Sequence, residues 1–229
     1  MCGRFGLTQS PRSIARLLGA RLDEANFQPR YNIAPTQQLL SMVNDDQRSI
    51  GSFRWGLVPW WSEGPKAMKL STFNARIETI ATSRVYREAL RERRCAIFAD
   101  GYFEWFKEAD GSKTPVWIYR KDRQPFVFAG LWETWRARDR SETLKSCTII
   151  TQPPNDFAKQ IHSRMPVVLE VAETRKWLEP SNREPESVIE LLSPSAASLW
   201  TAHDVDRRVG NVRYDDASLI AAVSQFQHG

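Results

Sequence analysis

The sequence predicts an α+β fold: a single domain with a curved, mostly antiparallel, barrel-like β-sheet core decorated by short helices. Three observations predict it. Apolar stretches of strand length crowd together after about residue 95 with turn signals between them, whereas helical patterns are few and short. Strands and helices do not alternate, which argues against a doubly wound parallel sheet. The 229 residues contain no internal repeat, low-complexity tract or linker, so one domain over 1–229 with a substantial core is the simplest organisation.

The elements follow in order. Ser10-Pro11, then Ile14, Leu17, Leu18 and Gly19, reads as a short helix with a cap, a proline at its first position, an apolar stripe and a glycine stop. Pro29 to Thr36 is a turn-rich loop. Leu39–Val43 and Ser49–Trp55 read as strands joined through Asn44-Asp45-Asp46. Val58 to Pro65 is a Pro/Gly-bounded loop carrying Trp60-Trp61. A helix is expected from Arg84 to Arg91 behind Ser83. Strands follow at Cys95–Ala99, Tyr102–Lys107, Val116–Tyr119, Phe126–Leu131 and Leu144–Thr151, with turns at Asp110-Gly111 and Asp122 to Pro125. Pro153–Ile161 reads as a short helix, Pro166–Leu169 as a strand, Ala172–Leu178 and Glu186–Leu192 as helices, and Leu199–Asp204 as the closing strand. Residues 222–229 are expected to be a flexible tail.

Hydrophobic content of 41% and charged content of 26% are ordinary for a globular protein. No run approaches a membrane span and no signal-peptide core opens the chain, so a cytoplasmic location and no membrane partner are expected. Cys2, Cys95 and Cys147 are odd in number and far apart, which suggests neither a disulfide framework nor a zinc site. No metal or cofactor is expected, and nothing demands more than a monomer. Of the net charge of +5, residues 1–100 hold 15 Lys/Arg against 9 Asp/Glu, and residues 101–229 hold 17 against 18. The basic excess lies in the half that contains Cys2. Arginine forks match phosphate oxygens, so a nucleic-acid backbone is a natural partner, with a solvated basic surface as the alternative. Trp60 and Trp61, on a loop in this half, suit stacking by single-stranded bases or packing beneath the loop.

The chemistry gathers in four places. Met1 precedes Cys2, a residue small enough to permit removal of the methionine, and trimming leaves an α-amine and a thiol on adjacent carbons. Roughly a tenth of such an amine is uncharged at neutral pH. It attacks an aldehyde to give an imine, and the thiol then closes a five-membered thiazolidine. Phe73-Asn74-Ala75-Arg76 places an amide and a guanidinium on one face if extended. Asp100-Gly101-Tyr102-Phe103-Glu104-Trp105 sets Glu104 in an aromatic strand, where burial would raise its pKa towards acid/base use. His162 stands two residues from Arg164. Taken singly, Asn74 as a turn residue, Glu104 on a solvated strand face and His162 as a surface histidine are open alternatives.

Together these segments resemble the SRAP family (SOS response-associated peptidase, or abasic-site processing, proteins). The resemblance rests on Met1 to Phe5, Tyr31 to Thr36, Arg54 to Pro59, Asn74 to Thr79, Arg94-Cys95, Asp100 to Trp105, Ala129 to Glu133 and His162 to Pro166, in family order over most of the chain. Tyr102-Phe103 swaps the commoner order, and Gly210 to Arg213 is a loose version of a C-terminal loop. The resemblance implies a covalent thiazolidine between Cys2 and the ring-opened aldehyde of an abasic site in single-stranded DNA, shielding the strand from cleavage. It implies that Asn74, Glu104 and His162 line the pocket of Cys2, and that Arg4, Arg76, Arg164, Trp60 and Trp61 contact DNA. Two other classes are weighed against it: a cysteine peptidase or amidohydrolase with the Cys2 thiol as nucleophile, and a non-covalent single-strand binder.

Overall fold

The structure, a computed structural model, describes residues 2–20, 27–67 and 71–225. Its elements are β1 (Arg4–Leu7), α1 (Arg12–Leu17), β2 (Arg30–Ile33), β3 (Gln38–Val43), β4 (Ile50–Trp55), β5 (Asn74–Arg76), α2 (Arg87–Glu92), β6 (Arg94–Ala99), β7 (Gly101–Lys107), β8 (Lys113–Arg120), β9 (Phe126–Arg136), β10 (Thr143–Gln152), β11 (Met165–Pro166), β12 (Val168–Leu169), α3 (Val171–Trp177), α4 (Pro185–Ile189), β13 (Trp200–Asp204) and β14 (Ser224–Gln225). The predicted class holds: helices and strands are mixed, and all but two of the pairings are antiparallel.

One sheet closes on itself. β9 is eleven residues long, long enough to bond β6 through Phe126 to Leu131 and β10 through Gly130 to Arg136. The ring β10-β4-β3-β6-β9 is thereby a five-stranded barrel, with β10 parallel to β4 and to the short β5. Gly130 sits where β9 changes neighbours, opposite both Cys95 and Ile149. A side chain there would lie 2.8 Å from the Thr148 carbonyl and 2.9 Å from the Cys95 sulfur, so closure at this corner requires glycine. All six residues of β6 are buried, because both of its faces are covered.

The second sheet, in the order β14-β13-β8-β7-β1-β2, is antiparallel throughout. Phe5 of β1 joins the sheets, meeting Trp55 of β4 edge-on at 5.2 Å and Phe128 of β9 at 5.7 Å. Such pairs contribute about 0.5–1.5 kcal/mol each beyond area burial, and here they fix the strand that follows Cys2. Arg94 is wholly buried, and no carboxylate forms an ion pair with it among the described residues. Its guanidinium donates to the Leu90, Arg91, Trp177 and Glu179 carbonyls at 2.6–3.0 Å, so the negative ends of α2 and α3 hold it.

Several expectations shift. β1 and β2 pair with each other, where the sequence reading had no strand and a turn-rich loop; four-residue strands are too short for period-two patterning to declare them. The helix expected at Pro153–Ile161 is a single 3-10 turn, Ala158–Gln160. The strand expected at Pro166–Leu169 divides at Val167, with β11 on β10 and β12 on β9. The tail expected from residue 222 begins too early, because Ser224–Gln225 pair with His203 and Asp204; residues 226–229 lie outside the described residues. Among the described residues no helix is long and apolar enough to cross a membrane.

Candidate active site at the amino terminus

β1 aligns with β7 in the register Arg4 to Phe103, Phe5 to Tyr102 and Gly6 to Gly101. The chain start therefore runs back along β7 towards Glu104. Cys2 is fully buried, its thiol 3.9 Å from the Arg4 carbonyl. Burial pushes the thiol pKa well up, and the Glu104 carboxylate pushes it further. Glu104 is itself 2% exposed. Its carboxyl is pushed up to about 7 by burial, opposed by the positive charge of the amino terminus. The expectation that an aromatic strand would bury this carboxylate is met.

β5 supplies the second wall. It pairs in parallel with β10 through Asn74 to Ile149 and Arg76 to Thr151, and the Asn74 side-chain amide donates to the Cys2 carbonyl at 2.8 Å. Asn74 Oδ1 is buried and has no hydrogen-bond partner among the described residues. Tyr86 donates its hydroxyl to the Asn74 carbonyl at 3.3 Å. Burial pushes the Tyr86 phenol up to about 12, so it remains a donor at any ordinary pH. The sequence carried no signal for Tyr86.

His162 comes from the loop between β10 and β11. The Arg164 amide donates to its Nδ1 at 3.0 Å. That bond leaves Nδ1 unprotonated, so the neutral ring carries its hydrogen on Nε2. Burial and then the positive amino terminus hold the imidazole below its usual pKa. The positive charge of the amino terminus thus acts on both Glu104 and His162.

The arginines divide by use. Arg4 donates to the Val209 carbonyl at 2.6 Å, to Asn32 Oδ1 at 3.1 Å and to the Gly210 carbonyl at 3.1 Å. Its guanidinium holds the 209–210 turn against β1. Buried Asn32 reinforces the clamp through the Val209, Asn211 and Tyr214 carbonyls. Arg164 forms a fork on Glu78 and also donates to the Thr151 carbonyl at 2.7 Å. Glu78 lay inside the recognised Asn74 to Thr79 segment, yet only the fold reveals that it fixes Arg164. Arg76 is exposed on β5. Trp60 and Trp61 are 56% and 39% exposed on their loop. Arg84 lies 4.5 Å over the Trp61 ring, and the Trp60 indole donates to Glu88 at 3.2 Å. Asp100 accepts from the Thr8 amide, the Thr8 hydroxyl and the Gln9 amide, so it braces the end of β1.

Known proteins resemble this chain in sequence and fold. The chain is 37% identical over 225 residues to the abasic site processing protein YoaM of Bacillus subtilis, covering 97% of this chain and 98% of that one. It is 35% identical to the abasic site processing protein YedK of Escherichia coli, covering 97% and 100%. The crystal structure of a protein from Bacteroides thetaiotaomicron superposes with a TM-score of 0.84 at 25% identity over 96% of this chain and 99% of that one. A family model for the SOS response associated peptidase (SRAP) matches residues 1–212, and the chain belongs to that family.

Proposed function

We propose that this protein captures abasic sites in single-stranded DNA as a covalent thiazolidine on Cys2 once Met1 has been removed. The relatives YoaM and YedK are named for abasic site processing. The observation that carries the reading is the convergence of Asn74, Glu104 and His162 on the chain start. An amine and a thiol on adjacent carbons, set beside a carboxyl with a pKa of about 7, suit an aldehyde.

The roles follow from the geometry. Opening of the abasic sugar frees the aldehyde, and neutral His162 offers Nε2–H to the ring oxygen as a hydrogen-bond donor; a neutral imidazole N–H is too weak an acid to give its proton away. The Cys2 amine attacks the aldehyde carbon to form a carbinolamine. Glu104, protonated below about pH 7, gives its proton to the departing hydroxyl; water leaves and the nitrogen proton passes back to the Glu104 carboxylate, giving the neutral imine. The Cys2 sulfur then bonds to the imine carbon, and the thiol proton ends on the nitrogen. The overall change is aldehyde plus aminothiol to thiazolidine plus one water. Asn74 holds the Cys2 carbonyl, and its unpartnered Oδ1 suits a sugar or carbinolamine hydroxyl. A buried polar atom without a partner costs about 1–3 kcal/mol, which a ligand donor would recover. Exposed Arg76 suits a phosphate of the strand, and the exposed Trp60 and Trp61 indoles suit stacking by its bases.

The peptidase reading asks Cys2 to act as a thiolate. Burial and the neighbouring carboxylate favour the protonated thiol, the reverse of an activated cysteine nucleophile. Incubation of the trimmed protein with an abasic single strand, an intact single strand and a peptide pool separates the classes. The account predicts a heat-stable, protein-sized shift on a denaturing gel with the abasic strand only. Peptide cleavage without that shift would overturn it.

A further inference from the structure

We infer that Arg54, on β4, forms a second phosphate-binding pocket for the single strand; this rests on the reading of the protein as a single-strand binder. A pocket of roughly 260 Å³ opens there, lined by Thr36, Arg54, Gly56, Ser71, Thr72 and Phe73 among others. Arg54 is the one charged side chain among its described lining residues. No carboxylate pairs with it among the described residues. One of its amino groups donates to the Gly56 carbonyl at 2.8 Å, and burial lowers the guanidinium pKa, so the cation is partly stripped of water and held in one orientation.

The backbone around this guanidinium is costly to shape. Thr36, a β-branched residue, sits at φ 74°, and Gly56 at φ 115°. Ordinary side chains rarely adopt either conformation, and such strain persists only where the surroundings over-determine it. Here they do. The Thr36 amide donates to the Trp55 carbonyl at 2.7 Å, and Gln37 Oε1 accepts from Arg30 and from the Ala34 amide. A Cβ at Gly56 would stand 3.0 Å from the Arg54 amino group, so that glycine also clears the space Arg54 occupies. Two unfavourable backbone positions thus flank one unneutralised fork, with the Thr36, Ser71 and Thr72 residues providing hydroxyls beside it. A guanidinium with hydroxyl donors and no acid is the chemistry of a phosphodiester oxygen site.

The pocket is also wired to the site. The Trp55 indole donates to the Phe73 carbonyl at 2.7 Å and the Leu57 amide to the Thr72 carbonyl at 3.2 Å. Asn74, the next residue after Phe73, holds Cys2. The segment 71–74 thus both lines the pocket and holds Cys2.

The test is the salt dependence of binding to a fluorescent single strand carrying a tetrahydrofuran site, which has no aldehyde and cannot react. Each phosphate contact removed lowers the slope of log K against log salt by about 0.7 for a single strand. Arg54→Gln is expected to weaken binding several-fold and to reduce the slope by about that amount. Ser71→Asp, a change at an exposed position that sets a carboxylate beside the guanidinium, is expected to do the same if Arg54→Gln proves unstable. Unchanged affinity and slope in either folded variant would overturn the pocket while leaving the capture chemistry standing. Absence of any binding by the unaltered protein would instead sink the single-strand reading itself. Inorganic phosphate titrated at fixed ionic strength is the second arm. Displacement at millimolar phosphate that disappears in Arg54→Gln is the expected result, because phosphate and strand then compete for the same fork; displacement undiminished in Arg54→Gln would overturn the pocket.

Discussion

The side-chain amide of Asn74 holds the carbonyl oxygen of Cys2 at 2.8 Å, joining the barrel's parallel extension to the strand that carries the reactive terminus. A neutral hydrogen bond of this kind contributes about 0.5–1.5 kcal/mol. Asn74→Ala is expected to slow adduct formation by up to about ten-fold on that basis, and to leave the melting temperature within a few degrees. Time courses on denaturing gels at saturating abasic strand read the rate. An unchanged rate would show that Cys2 is placed by β1 alone.

The pH profile should report Glu104. Its carboxyl titrates near 7 in the folded protein against 4.5 ordinarily, so the acid form is present below 7 and lost above it. The terminal amine, with a reference pKa of about 7.7–8.0, gains its nucleophilic form in the opposite direction. Adduct formation is therefore expected to trace a bell centred between these values, and Glu104→Gln to flatten the alkaline limb. Stability carries the same signature. A raised carboxyl pKa means the native state binds the extra proton between pH 4.5 and 7. Roughly 3 kcal/mol of stability present below pH 4.5 is accordingly lost as pH rises through 7. Denaturant melts from pH 4.5 to 8 measure it, and Glu104→Gln should remove the decline.

How much of this was legible in the residues varies with range. Glu104 was readable because Tyr102, Phe103 and Trp105 surround it in sequence, and an aromatic strand is a buried strand. The strand set after residue 95 was readable for the same local reason. Barrel closure was not, since it depends on Gly130 letting one long strand change neighbours, and a single glycine does not announce that. The acceptors of Arg4 in the 209–210 turn lie more than two hundred residues away in sequence, so no local pattern shows them. Arg164 stands two residues from His162 in sequence, while the carboxylate that holds it, Glu78, is 86 residues upstream. Local patterns reveal burial, and long-range partners appear only once the chain has folded.

Glu78 is expected to act as a positioning residue for His162. It pins Arg164, whose amide fixes the Nδ1 side of the imidazole. Glu78→Gln removes a negative charge near the strand path, so affinity for single-stranded DNA should rise modestly. The adduct rate at saturation should fall several-fold, because the imidazole loses its fixed tautomer. Long-range proton–nitrogen NMR spectra check the cause directly. They should show Nε2–H in the unaltered protein at pH 7 and a mixture of tautomers in Glu78→Gln. A faster rate in the variant would mean that the pair restrains Arg164 and does nothing for His162.

Cys2→Ala keeps the α-amine but lacks the sulfur that closes the ring. The imine should still form and, without trapping, should lead to strand cleavage by β-elimination. The expected result is at least a ten-fold loss of heat-stable adduct with strand nicking equal to or above that of the unaltered protein, read on the same gel from both labelled ends. A heat-stable adduct at full yield in Cys2→Ala would remove the thiol from the chemistry.

The most direct test of the account is the intact mass of the purified protein before and after exposure to an abasic oligonucleotide. The predicted spectrum begins with a species lacking Met1 and ends with that species plus the oligonucleotide less one water. A protein that retains Met1, or a trimmed protein whose mass does not change in the presence of the abasic strand, would contradict it.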